Sequence, residues 1–149
     1  GRKVALHGGA AFDLWRRTIL LTIDSTMPID ELRESATLLR ELTDLASETT
    51  KHVMERQGAG EIERALTNAT IYLDAIGTIT VGWRWLERAR IAITDLRNES
   101  RSSDEQEFLR GKLFAARHFF AQDIPRARAQ LGIVASFDDA VLRLPEAGF

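Results

Sequence analysis

The sequence predicts an all-α fold, an antiparallel up-down four-helix bundle with a short C-terminal extension. Three observations predict it. Apolar residues recur at intervals of three and four through most of the chain, no segment alternates apolar and polar residues as a half-buried strand does, and short polar or glycine-rich breaks separate the periodic stretches. With 149 residues the chain has the length of one domain, and a domain of this size buries roughly two-thirds of its unfolded surface, so a single core suffices.

The first helix is expected over residues 10–25, where Phe12, Trp15, Ile19 and Ile23 form one apolar stripe. Met27-Pro28 ends it. Proline is well tolerated at a helix start, and Asp30 and Glu31 place negative charge on the free amide end of a second helix running to about residue 56. Leu32, Leu39, Leu42, Ala46 and Val53 are its inner stripe, and Gln57-Gly-Ala-Gly60 breaks it. The third helix is expected to run without interruption over residues 61–97, with Ile62, Leu66, Ala69, Leu73, Ile76, Trp83, Leu86 and Ile93 facing inward. Gly77 and Gly82 inside it, costly for a helix, suggest that another helix approaches closely.

Asn98-Glu-Ser-Arg-Ser-Ser-Asp104 reads as a polar loop, and Ser102 with Glu105, or Ser103 with Gln106, matches a capping box opening the fourth helix near residue 104. That helix is expected to end near residue 122, with Asp123 capping a short continuation through Pro125 to about residue 134. Leu109, Leu113, Ala116 and Phe120 form its core stripe. Residues 135–149 are left as an irregular tail with a short turn of helix at 138–142. The second helix is rich in acids and the fourth in bases; these are read mainly as solvated faces, because surface pairs contribute little.

Composition narrows the chemistry. There is no cysteine, which removes disulfides, thiolate zinc sites and a thiol nucleophile, and fits a cytoplasmic setting. A net charge of −2 gives no general attraction to nucleic acid or an anionic membrane, and no apolar run approaches the ~20 residues of a membrane span. A di-iron bundle needs Glu-x-x-His pairs, and no glutamate here has a histidine three positions later. Glu48 and His52 are read as a helix-surface contact. His7-Gly8-Gly9 resembles a lipase oxyanion loop but has no Gly-x-Ser-x-Gly turn to serve, and Gly58-x-Gly60 lacks the third glycine and the strand of a dinucleotide site. His118, between Arg117 and Phe119, has no identifiable catalytic partner. No catalytic, cofactor-binding or metal-ligating residue is assigned.

Aromatic residues remain. Trp83 and Trp85, like Phe119 and Phe120, cannot share one helix face when each residue turns ~100°, so one of each pair must leave the main core. Trp85, Phe119 and Phe120 are therefore the candidate interface residues, with Trp83 given to the core.

Residues Asn68-Ala-Thr-Ile-Tyr-Leu-Asp-Ala-Ile-Gly77, Gly82-Trp-Arg-Trp-Leu86 and Arg110-Gly-Lys-Leu-Phe-Ala-Ala-Arg-His-Phe-Phe120, followed by Ile124-Pro125, resemble the C-terminal helical domain of the acyl-CoA dehydrogenase family. The likeness is to its acetyl-CoA dehydrogenase-like C-terminal domain, as in the 3-methylmercaptopropionyl-CoA dehydrogenase branch, and is strongest over residues 61–125. Residues 1–9 resemble the junction to an upstream catalytic body, residues 10–134 the bundle, and Leu144-Pro-Glu-Ala-Gly-Phe149 the family's ending. The resemblance implies a parent flavoenzyme that uses FAD to oxidise an acyl-CoA thioester to the 2-enoyl-CoA, with this domain as a non-catalytic accessory. Its implied partners are the upstream catalytic domain and further copies in a homo-oligomer. The alternative is a free-standing helical module that binds a partner helix; a ligand-sensing bundle lacks a distinctive polar pocket signature.

Overall fold

The computed structural model describes residues 9–97, 100–138 and 140–143, and all regular structure among them is helical. In chain order these are α1 (Ala10–Thr26), a 3-10 turn (Asp30–Leu32), α2 (Arg33–Gly58), the short α3 (Ile62–Leu66), α4 (Ala69–Leu96), α5 (Ser103–Ser136) and a second 3-10 turn (Ala140–Arg143). Of the junction expected at residues 1–9, residues 1–8 lie outside the described residues, as does the ending at 144–149.

The α1–α2 corner is closed by local bonds. Met27 N–H donates to the Ile23 carbonyl at 2.9 Å, Ile29 N–H to the Thr26 carbonyl at 2.9 Å, and the Arg33 guanidinium pairs with Asp30. At the head of α5 the capping box forms with Ser102 and Glu105: Glu105 N–H donates to Ser102 Oγ at 3.3 Å, and Ser102 N–H donates to Glu105 Oε2 at 2.9 Å. Two otherwise orphaned amides are thereby satisfied.

The core runs the length of the four long helices. Ile19 and Ile23 of α1, Leu39 and Leu42 of α2, Ile79 and Leu86 of α4, and Ile124 and Leu131 of α5 are all fully buried within it. Cross-helix contacts define directions. Arg16 of α1 pairs with Asp44 and Asp24 with Arg40, so α1 and α2 run oppositely. Thr50 meets Tyr72 while Leu39 lies against Gly82, so α2 and α4 also run oppositely. Glu41 pairs with Arg128 at 2.6 Å and Arg56 stacks on the Phe137 ring at 4.6 Å, so α2 and α5 lie side by side in the same direction.

Two boundaries differ from the sequence reading. The expected third helix is interrupted at Thr67–Asn68, between α3 and α4. Beyond the break the inward face is Tyr72, Ala75, Ile79, Gly82, Leu86, Ala89 and Ile93; Leu86 and Ile93 face inward as expected, whereas Leu73, Ile76 and Trp83 stand one step from buried Tyr72, Ala75 and Gly82. Leu73 is 58% exposed, and before the break Ile62 is 55% exposed, against the expectation that both face inward. The second difference is α5, which continues unbroken through Pro125 to Ser136. Pro125 sits on the exposed side of α5, where water can satisfy the carbonyl its missing N–H leaves free, and Asp123 pairs with Arg126 at 3.4 Å. The helix ends at Phe137, whose φ of 50° is left-handed; burial of its ring and the Arg64 Nε bond to its carbonyl at 3.2 Å hold it there.

Gly82 confirms the expected close approach: an added methyl would stand 3.2 Å from Ile124 Cδ1 and 3.4 Å from Phe119 Cε1. Gly77 does not, since nothing lies within 4 Å of its would-be Cβ.

Candidate functional site

Helix α4 separates its two tryptophans. Trp83 points to the α1 seam, where its Nε1–H donates to Thr22 Oγ1 at 2.8 Å, and Trp15 Nε1–H donates across the same seam to Thr80 Oγ1 at 3.0 Å. Trp85, two residues on, is turned to the other flank. It is half-buried against the core, with the Arg88 guanidinium 5.8 Å from its ring centre. Val81, Arg84, Trp85 and Arg88 line a shallow depression on the outer side of α4. Val81 is 46% exposed there.

The three interface candidates fare differently. Phe120 is 4% exposed and is the member of the Phe pair that belongs to the core, because it shares the α5 stripe with Ala116, Ile124 and Ala127. Phe119 is half-buried, edge-on to Phe120 with ring centres 6.2 Å apart, and closes over Gly82. Phe119 thus lies at the α4–α5 contact and Trp85 on the outer side of α4, both half-buried. Sequence reasoning missed Phe108 and Phe114, which stand out from α5 at 64% and 74% exposure. Their signal was present: both fall off the 109–113–116–120 stripe.

One buried polar contact links α2 and α4. Thr50 Oγ1 donates to the Ala46 carbonyl at 2.6 Å, so the 2.7 Å contact with Tyr72 is a bond donated by the Tyr72 hydroxyl. Burial raises the Tyr72 pKa. A neutral donor in a closed seam is structural rather than catalytic.

Among the described residues no group of three or more His, Asp or Glu side chains could hold a metal ion. Glu48, His52 and His118 are all exposed. A cleft of about 180 Å³ opens between α2, α4 and α5, walled by Leu86, Ile93, Leu113 and Phe120, with Arg97 and Arg117 at its rim. Small-molecule sites typically occupy roughly 300–1,000 Å³, so this cleft does not fit a flavin dinucleotide. No described helix is long and apolar enough to cross a membrane.

Comparison with known proteins bears on this surface. Residues 17–145 match the family described as acetyl-CoA dehydrogenase C-terminal like. A relative from Mycobacterium tuberculosis (strain ATCC 25618 / H37Rv), the broad-specificity linear acyl-CoA dehydrogenase FadE5, is 25% identical over 153 aligned positions, which cover 99% of this chain and 25% of the relative. The chain therefore spans about a quarter of the length of the curated relative it matches.

Proposed function

Because this chain belongs to the acetyl-CoA dehydrogenase C-terminal-like family, we propose that it is the accessory helical domain of an FAD-dependent acyl-CoA dehydrogenase, without catalytic groups of its own. The observation that carries the reading is the extent of the family match, 17–145, set against a relative four times longer. In this reading FAD and the acyl-CoA thioester are held by the rest of the enzyme, which oxidises the thioester to the 2-enoyl-CoA. The domain itself is an up-down bundle of four long helices, supported by the opposed directions of α1 and α2 and of α2 and α4. The setting is cytoplasmic, as the absence of cysteine suggests.

The domain's work is to pack on the catalytic body through the outer side of α4 and its contact with α5. Trp85 and Phe119 supply rigid, partly exposed aromatic area, and Arg84 and Arg88 beside Trp85 provide a polar rim, the usual anatomy of an interface anchor. Truncating Trp85→Ala is expected to weaken association with the separately expressed catalytic body by at least about tenfold, with a smaller effect on unfolding, as for a central anchor. Sedimentation of the mixture beside denaturation curves tests it; a catalytic body that ignores the wild-type chain would refute the accessory role.

A further inference from the structure

The cleft between α2, α4 and α5 has no part in the accessory role, and its walls and its mouth differ in chemistry. The walls are apolar: Leu86, Ala89, Ile93, Ala116 and Phe120 are buried, and Leu113 is partly so. The polar side chains that line it are Glu31 and Ser35 around the start of α2, Arg97 just past the end of α4, and Arg117 of α5. Glu31, Arg97 and Arg117 are exposed, so the charge stands at the mouth.

Size and charge together select a ligand class. An apolar cavity of roughly 150 Å³ admits one benzene ring. This cleft measures about 180 Å³, which leaves room for a tail of about six carbons. Neither Arg97 nor Arg117 makes an ion pair or a side-chain hydrogen bond among the described residues. Their two guanidiniums, set against the carboxylate of Glu31, leave the mouth with a net charge of one positive unit. A guanidinium presents paired N–H donors that match the two oxygens of a carboxylate.

We propose that this cleft binds a small free monocarboxylate with an apolar tail of about six carbons, its tail between the walls and its carboxylate at Arg97 and Arg117. One carboxylate neutralises the mouth, a dianion overshoots it beside Glu31, and a cation is repelled. A bound ligand bridges three helices and stabilises their junction by mass action. It is a free acid, distinct from the CoA thioester assigned to the rest of the enzyme, and its site shares no residue with the Trp85 and Phe119 surface, so either proposal can fail alone.

The test is titration of sodium hexanoate, at constant ionic strength, into the 149-residue chain, read by calorimetry and by the methyl NMR signals of Ile93 and Leu113. Hexanoate should bind once per chain with a Kd of about 1 mM or lower and shift those methyls. Acetate, which lacks the tail, hexylammonium, which reverses the charge, and dianionic hexyl phosphate should each bind at least about tenfold more weakly. Arg117→Gln should weaken hexanoate by at least about tenfold and leave the weaker binding of hexanol unchanged, which separates loss of the anion contact from loss of the cleft. Ser35→Phe and Leu113→Trp, which fill the cleft from α2 and from α5, should each abolish binding of both compounds, with circular dichroism verifying the fold. Absence of hexanoate binding at about 10 mM, hexylammonium or hexyl phosphate binding as tightly as hexanoate, or an affinity indifferent to Arg117→Gln or to both filling variants would each overturn the proposal.

Discussion

Tyr72 and Leu73 occupy adjacent positions at the start of α4 and meet opposite environments. Tyr72 is 7% exposed with its hydroxyl bonded to Thr50, whereas Leu73 is 58% exposed on the outer side. Periodicity supports either inner face here, since Leu66, Ala69, Leu73 and Ile76 are apolar at helical spacing. What decides is packing: Ala65 and Tyr72, seven residues apart, keep one inward face on either side of the break at Thr67–Asn68, and Leu66 and Leu73 both stay outside it. The consequence is measurable. Leu73→Ala should change stability by no more than about 0.5 kcal/mol, as surface substitutions do. Leu86→Ala, at a fully buried position, should cost roughly 2–5 kcal/mol through lost transfer energy and the cavity left behind. Chemical denaturation of the two variants would show a reversed order if Leu73 faced the core.

At the scale of elements, the start of α5 was legible and its course was not. A capping box is a local device whose residues sit three apart in sequence, so Ser102 and Glu105 announce it directly. The Ser102 backbone N–H, then the Ser102 hydroxyl and Arg101, hold the Glu105 carboxyl below its ordinary value of 4.5. A lowered folded value means that the ionised carboxylate favours the folded state. That stabilisation is present above the unfolded value and is lost as pH falls through the folded one. Ser102→Ala should therefore destabilise the domain by about 1 kcal/mol near neutral pH, with the difference from wild type narrowing under acid. Glu105→Gln, which keeps the reach of the side chain, should flatten the acid limb without abolishing the cap. Thermal melts from pH 7 down to about 3, across the carboxylate range, measure both; parallel curves for wild type and variants would rule the linkage out. Pro125 reads in sequence as a terminator because its missing N–H matters wherever the helix is buried. It is tolerated in α5 because its position faces solvent, and that orientation depends on packing against α2 and α4.

For the whole molecule, the described residues build one core of their own. Eight large side chains from four helices close on one another without any outside contribution, which supports independent folding. The chain by itself should purify as a colourless helical domain that turns over no acyl-CoA, since redox chemistry of this kind resides in a cofactor and the sequence analysis assigns no residue to bind one. An absorption band of bound flavin, or oxidation of an acyl-CoA in the presence of an electron acceptor, would contradict the accessory role.

Fold class, helix termini set by local bonds, and family membership were determined by the sequence alone, because periodicity, caps and motif spacing are properties of neighbouring residues. Which of two adjacent side chains entered the core was decided by tertiary structure. Phe120 over Phe119 and Tyr72 over Leu73 each hinge on the rotation of a whole helix about its axis. That rotation is set by contacts between segments far apart in the chain, among them Gly82 against Phe119 and Thr50 with Tyr72. No local pattern encodes it, since a turn of ~100° exchanges buried and exposed positions while leaving the spacing of apolar residues unchanged.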